Sequence, residues 1–305
     1  MKNLNFQSVK NIRDFGGIIN KEGKTIRPGL FIRSATLYGL SDDDVAQFSE
    51  AFHLTKVIDL RTDQEREEKP DTWIPGCVGY HFSLLKGSVT GISHEKETDD
   101  GVEQLNAKAQ KANEKPKTDV NHLSTREKRE REKAQIPEMA GLYRALAVSE
   151  HTHRMLTNVF AEICGIRDYV EEAQSAASKS CDGKQTSATK AVLWHCTEGK
   201  DRCGIVSALF LYLLDVDEKV IMEDYLYTNK VNQPKALRTF LLILLFRRNL
   251  QMARSVYRVY IADRTYLQSF LDAVKENYGS IDDFMRNQLG VTDERKKALK
   301  DYCLR

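Results

Sequence analysis

The chain has 305 residues, with 46 Lys+Arg against 44 Asp+Glu, so 30% of it is charged while the formal net charge is only +2. That near-cancellation excludes a basic nucleic-acid arm or an acidic tail working through bulk charge. A 41% hydrophobic content supports a sizeable core without staples, and the length suits a single domain over 1–305.

In chain order, Thr25–Ser34 and Lys56–Arg61 read as short strands, and Ser41 with Asp44 marks a capping-box start to a helix running to about Phe52. Tyr80–Leu85 is a further strand. His94–Lys133 holds ten acidic and ten basic residues and four large apolar ones, so the charge is concentrated there. Such a stretch cannot bury enough surface to offset its ordering entropy, and the sequence predicts a charged low-complexity insertion at about 88–135. Apolar residues at helical spacing predict helices over Met139–Ala147 and His151–Val170, and a surface loop follows at about 172–189. Ala191–Trp194 is a buried strand, Gly204–Leu214 a helix apolar nearly all round, and Lys219 onward a series of further helices. Strands alternating with helices predict an α/β fold with a central, mostly parallel sheet flanked by helices and extra helices at the C-terminal end.

No apolar run approaches the length of a membrane span, and the N-terminal stretch lacks the apolar region of a secretory signal, which points to a cytoplasmic protein, with export by a route needing no such signal left open. The run Phe240–Phe246, followed by Arg247 and Arg248, reads as core or lid packing, with a membrane-facing helix as the other reading. The six cysteines, Cys77, Cys164, Cys181, Cys196, Cys203 and Cys303, lack paired spacing and read as reduced thiols. His151 and His153 are two apart, so they diverge on a helix and make a poor metal site.

The chemistry concentrates in His195–Gly204, HCTEGKDRCG, between a strand and a helix. Five residues separate Cys196 from Arg202, a spacing that lets the backbone curl with its N–H groups facing inward as an anion-binding nest. Arg202 can close the ring with a bidentate fork, and the helix N-terminus favours the thiolate of Cys196. Such a thiolate attacks phosphorus and forms a phosphocysteine that water hydrolyses. The chemistry calls for no metal or other cofactor.

This stretch resembles the signature of the cysteine-dependent protein tyrosine phosphatase superfamily, and more closely the HCxAGKDRTG loop of the bacterial tyrosine/lipid phosphatases. Asn11–Gly17, Arg27–Gly29 with Arg33-Ser34, and Ile58–Thr62 with Glu65 are similar to that family's N-terminal blocks; Asp224-Tyr225, Tyr266-Leu267 and Tyr278–Ser280 are similar to its C-terminal ones. The resemblance implies a metal-independent protein-tyrosine phosphatase of protein tyrosine phosphatase-like fold. Cys196 is then the nucleophile, Arg202 the phosphate ligand, Asp201 the general acid and Lys200 a cation at the cradle rim. Thr197, Glu198, Gly199 and Cys203 complete the phosphate-binding loop, and His195 supports it from behind through backbone hydrogen bonds. The implied partner is a phosphorylated protein or a phosphoinositide, and neither nucleic acid nor an integral membrane segment is expected. A phosphoinositide or dual-specificity phosphatase is the alternative, and a non-catalytic phosphate-binding pseudophosphatase a remote one.

Two positions depart from the family pattern. Cys203 stands where Thr or Ser is usual, and its thiol is a weaker donor to the nucleophilic sulfur. Glu198 replaces a small residue, and its carboxylate must point away from the cradle to leave anion binding intact. Asp59 and Arg61 either contact the substrate or brace the site as an ion pair, and Arg13-Asp14 reads as a structural turn.

Overall fold

The computed structural model describes residues 2–86, 139–165 and 190–305. The charged insertion, the 172–189 loop, the end of the helix predicted to Val170 and Cys181 lie outside these residues.

Six strands make one sheet in the order β1-β2-β3-β6-β4-β5: β1 Lys2–Asn3, β2 Arg13–Asp14, β3 Phe31–Ser34, β4 Leu54–Asp59, β5 Val78–His81 and β6 Ala191–His195. β3, β6, β4 and β5 run parallel, whereas β1 and β2 add an antiparallel edge. Parallel strands buried on both faces require near-continuous apolar sequence, which AVLWH supplies in the centre. Its side chains alternate: Val192 and Trp194 join one core with Phe15, Phe31 and Phe210, while Ala191 and Leu193 join the opposite core with Ile32, Phe48 and Val57. Trp194 stacks on Phe15 at 5.1 Å, and its indole N–H donates to Ser207 Oγ at 3.0 Å.

The strand predicted from Thr25 is shorter, since Pro28 has no N–H to give and Gly29 takes φ 77°; only Phe31–Ser34 pairs with β6. The helix predicted after Ser41 begins as α1, Asp42–Ala46, and widens into a π-helical turn, Gln47–Ala51. Ser41 caps it through Asp44 N–H, yet the Asp44 carboxylate accepts from the Gln7 and Ser8 amides instead of completing a capping box. A complete capping box forms one helix later, where Thr62 and Glu65 exchange bonds at the start of α2, Asp63–Glu68.

Two helices, α3 Met139–Val148 and α4 Glu150–Cys164, precede β6. His151 and His153 lie on α4 and bond the Ser83 and Ala147 carbonyls. After β6 comes α5, Asp201–Leu213, which starts three residues earlier than the apolar pattern alone suggests and is buried along almost its whole length. The C-terminal part is helical throughout: α6 Glu218–Tyr227, α7 Asn229–Arg247, α8 Leu250–Tyr260, α9 Arg264–Tyr278, α10 Ile281–Asn287 and α11 Asp293–Cys303. α7 and α8 pair as a hairpin away from the cores, with Leu245 71% and Phe246 80% exposed. The Phe240–Phe246 run therefore lies outside the cores, and among the described residues no helix is long and apolar enough to cross a membrane.

Candidate functional site

β6 ends at His195 in the middle of the sheet, and α5 begins at Asp201, so residues 196–200 form a tight loop at the carboxyl edge of the strands. The loop is shaped from outside. Asn11 Nδ2 donates to the Glu198 and Gly199 carbonyls at 3.1 and 2.8 Å, Arg33 to the Gly199 carbonyl at 2.8 Å, and the Thr36 amide to the Thr197 carbonyl at 3.3 Å. In a trans peptide the N–H opposes the C=O, so carbonyls drawn outward turn the amides of Glu198, Gly199 and Lys200 inward. The nest expected from spacing alone is thus enforced by donors on β2, β3 and their loops. Gly199 takes φ 63° and packs so tightly that an added Cβ would lie 2.6 Å from the Ser34 carbonyl oxygen.

The donors are themselves fixed by a buried carboxylate. Asp224 on α6 accepts from Arg13 Nε at 2.8 Å and Arg33 Nη1 at 2.6 Å, with all three side chains nearly fully buried. Arg13 also donates to Asn11 Oδ1 at 2.6 Å. Asp14 is the turn residue, accepting from the Gly16 and Gly29 amides.

Cys196 lies at the floor, 2% exposed. Burial pushes its thiol up, but hydrogen bonds from the Cys203 thiol and amide and the charge of Arg202 bring it down to about 6. Cys203, itself held far above the usual thiol range by burial, keeps its proton beside the Cys196 sulfur, with the Ser34 carbonyl at 3.6 Å and the Trp194 carbonyl at 3.9 Å as its other acceptors. Arg202 is clamped by Glu65, Nη1 to Oε2 at 2.5 Å and Nη2 to Oε1 at 2.8 Å, and Nη2 lies 3.3 Å from Thr197 Oγ1. Thr197 in turn donates to Glu65. Burial opposes charge on Glu65, yet Arg202 and the Thr197 hydroxyl hold it down to about 2.

Glu198 turns outward to Lys235 on α7 at 3.0 Å, both half-exposed, which leaves the cradle free of its charge. Lys200 lines the cleft but is only 3% exposed, and its ammonium bonds the Val259 and Ile261 carbonyls at the end of α8, so it also ties the hairpin to the loop. His195 departs from expectation: its ring faces carboxylates instead of backbone, with Nε2 3.0 Å from Asp71 Oδ2 and 3.9 Å from Asp59 Oδ1. Burial opposes protonation, but those carboxylates raise its pKa. Arg61 bonds both, at 2.7 Å to Asp59 and 2.9 Å to Asp71, and so braces the site. Asp59, Asp71 and His195 are the described residues whose ligating atoms converge, and a metal ion there would have to displace Arg61.

Above the loop is a cleft of about 430 Å³. α2 forms one wall through Gln64 and Glu68, Asn232, Val256, Val259 and Tyr260 of the hairpin the other, with Cys196, Asp201 and Arg202 at its base. The Asp201 carboxylate accepts from the Tyr143 hydroxyl at 2.7 Å.

A family model described as the tyrosine phosphatase family matches residues 4–305. The chain belongs to the tyrosine phosphatase family. Over 290 residues it is 26% identical to the triple specificity protein phosphatase PtpB of Mycobacterium tuberculosis, covering 92% of each chain. Over 107 residues it is 34% identical to a Cupriavidus necator protein named as a tyrosine-protein phosphatase, a match spanning 33% of this chain and 36% of that one. The α/β sheet flanked by helices agrees with the fold this family implies. Asp71 and Tyr143 escaped the sequence reading; Glu65, Asn11, Arg33 and Asp224 were visible only within the family blocks, where nothing in their spacing told of an arginine clamp or a carbonyl harness.

Proposed function

We propose that the protein is a metal-independent protein-tyrosine phosphatase working through a phosphocysteine on Cys196. Family membership gives the phosphatase class and a phosphorylated substrate. The observation that supports the mechanism best is the convergence of a sulfur brought down to about 6, an inward-facing amide nest and a clamped Arg202 at the base of one cleft.

The Cys196 thiolate attacks the phosphate in line, while the nest amides and Arg202 take the charge of its equatorial oxygens. Asp201 protonates the leaving oxygen and then removes a proton from the water that hydrolyses the phosphocysteine. The planar guanidinium of Arg202 meets phosphate oxygens only when it is aimed at the cradle, and the Glu65 clamp provides that aim. Val256, Val259 and Tyr260 give the cleft an apolar wall that suits the ring of phosphotyrosine. The relative named for triple specificity supports a broader range that includes phosphoserine/threonine or phosphoinositides.

A panel of phosphopeptides and phosphoinositides tests the reading, with Cys196→Ser as control. Turnover of phosphotyrosine peptides that vanishes in Cys196→Ser is expected. Turnover retained in that variant contradicts the mechanism, and phosphoinositide turnover exceeding that of all peptides contradicts the substrate class.

A further inference from the structure

Behind Asp201 and away from the cleft, three buried side chains form a hydrogen-bonded row. Tyr143 on α3 donates to Asp201 Oδ1 at 2.7 Å, and its oxygen lies 2.9 Å from the Tyr225 hydroxyl on α6. Both tyrosines are essentially inaccessible, 0% and 1% exposed. A phenol has one proton to give. Since Tyr143 gives its proton to Asp201, the 2.9 Å contact must run from Tyr225 to Tyr143.

That polarity is locked. For Asp201 to donate through Oδ1, Tyr143 would have to donate to Tyr225, and Tyr225 would need an acceptor of its own. Among the described residues its hydroxyl bonds Tyr143 alone. Burial and the neighbouring Asp201 push both phenols well above their ordinary range, so each remains a donor. The Tyr225 ring is held against Gly204 of α5, where an added Cβ would meet Cδ2 at 2.7 Å, and the Tyr143 ring is packed 6.0 Å from that of Tyr266. Asp201 Oδ2 is left with a longer contact, 3.4 Å to Lys200 Nζ, whose other bonds run to α8 carbonyls.

We infer that Tyr143, oriented by Tyr225, is a positioning residue that keeps the transferable proton of Asp201, at the base of the cleft, on Oδ2, the oxygen that Tyr143 does not occupy. This rests on the reading of Asp201 as general acid. A carboxylic acid with two equivalent oxygens spends part of its time with the proton on the wrong one; occupying Oδ1 permanently with a donor removes that misdirected form.

The test compares turnover of an alkyl phosphate, whose leaving group needs a proton, with that of p-nitrophenyl phosphate, whose leaving group hardly does. Tyr143→Phe is expected to lose about tenfold on the alkyl substrate and less than about twofold on the nitrophenyl one, in line with one hydrogen bond to a charged group. Tyr225→Phe follows the same pattern more weakly. Competitive inhibition by inorganic phosphate stays unchanged in both, which separates positioning from a damaged cradle. In an Asp201→Asn background Tyr143→Phe adds nothing. Equal losses on the two substrates, or a full further loss in the Asp201→Asn background, overturn the inference. If Tyr143→Phe fails to fold, the same ratio measured on Tyr225→Phe decides. Failure of the underlying reading looks different: Asp201→Asn itself then loses equally on both substrates, or Cys196→Ser remains active.

Discussion

At the scale of single residues the site is a set of opposed pressures whose balance is set by neighbours. Cys196 is buried, which disfavours a thiolate, and still titrates at about 6 because Cys203 and Arg202 outweigh burial. The consequence is measurable by alkylation: the rate of reaction with iodoacetamide should rise with pH through a midpoint near 6, not the ordinary 9.0, and Cys203→Ala should move that midpoint upward. A midpoint unmoved by Cys203→Ala contradicts its role as donor to the sulfur. Glu65, also an anion, shows the same balance: burial pushes it up, and Arg202 and Thr197 bring it down. Its folded pKa of about 2 lies below the ordinary 4.5, so its ionised form adds stability that is complete above 4.5 and lost as pH falls toward 2. Glu65→Gln should therefore lower the melting temperature at pH 7 and leave it nearly unchanged at pH 2, with turnover at pH 7 reduced at least about tenfold through the loosened Arg202. These residue identities were legible in HCTEGKDRCG and in the nearby blocks. The bonds of Lys200 were not: a lysine in a phosphate loop suggests a cation for the ligand, and nothing in its spacing foretells the Val259 and Ile261 carbonyls that it also holds.

At the scale of elements, the loop owes its shape to the strands beside it more than to its own sequence. Asn11, with φ 52°, and Arg33 pull its carbonyls outward, and Gly199 fits because it has no Cβ. Gly199→Ala brings a methyl within 2.6 Å of the Ser34 carbonyl at a positive φ, a double conflict that should cost about 1–3 kcal/mol and abolish phosphate binding, as chemical denaturation and inhibition by inorganic phosphate would show. Normal binding in that variant would mean that the loop tolerates another path. β6 and α5 were readable because one is a short buried run and the other apolar on every face. Their edges were not, since the turn of α5 that carries Asp201 and Arg202 is polar and its start is decided by tertiary bonds. The α2 capping box was also missed, although Thr62 and Glu65 have the right spacing, because Glu65 serves two partners at once, the cap and Arg202.

At the scale of the whole molecule, Asp224 links the C-terminal helices to the N-terminal edge of the sheet and thence to the loop. It neutralises Arg13 and Arg33, the residues that hold Asn11 and the Gly199 carbonyl. Removing one partner of such a buried group leaves uncompensated charge, so Asp224→Asn should destabilise the fold by about 3–5 kcal/mol and reduce turnover in the fraction that stays folded. Undiminished stability would mean that the two arginines find other acceptors. The parallel core of the sheet followed from alternating strands and helices, but the antiparallel β1-β2 edge did not, because two-residue strands leave no periodic pattern. The +2 net charge conceals this organisation: the cations that matter, Arg13, Arg33 and Arg202, are buried against carboxylates and shape or fill one small cradle. Covalent capture at Cys196 is the claim on which the account turns. Rapid acid quenching during turnover of a phosphotyrosine peptide, followed by peptide mapping by mass spectrometry, should find one added phosphoryl group on Cys196 and none in Cys196→Ser; turnover with no phosphorylated protein at any time, or with the label on another residue, would contradict it.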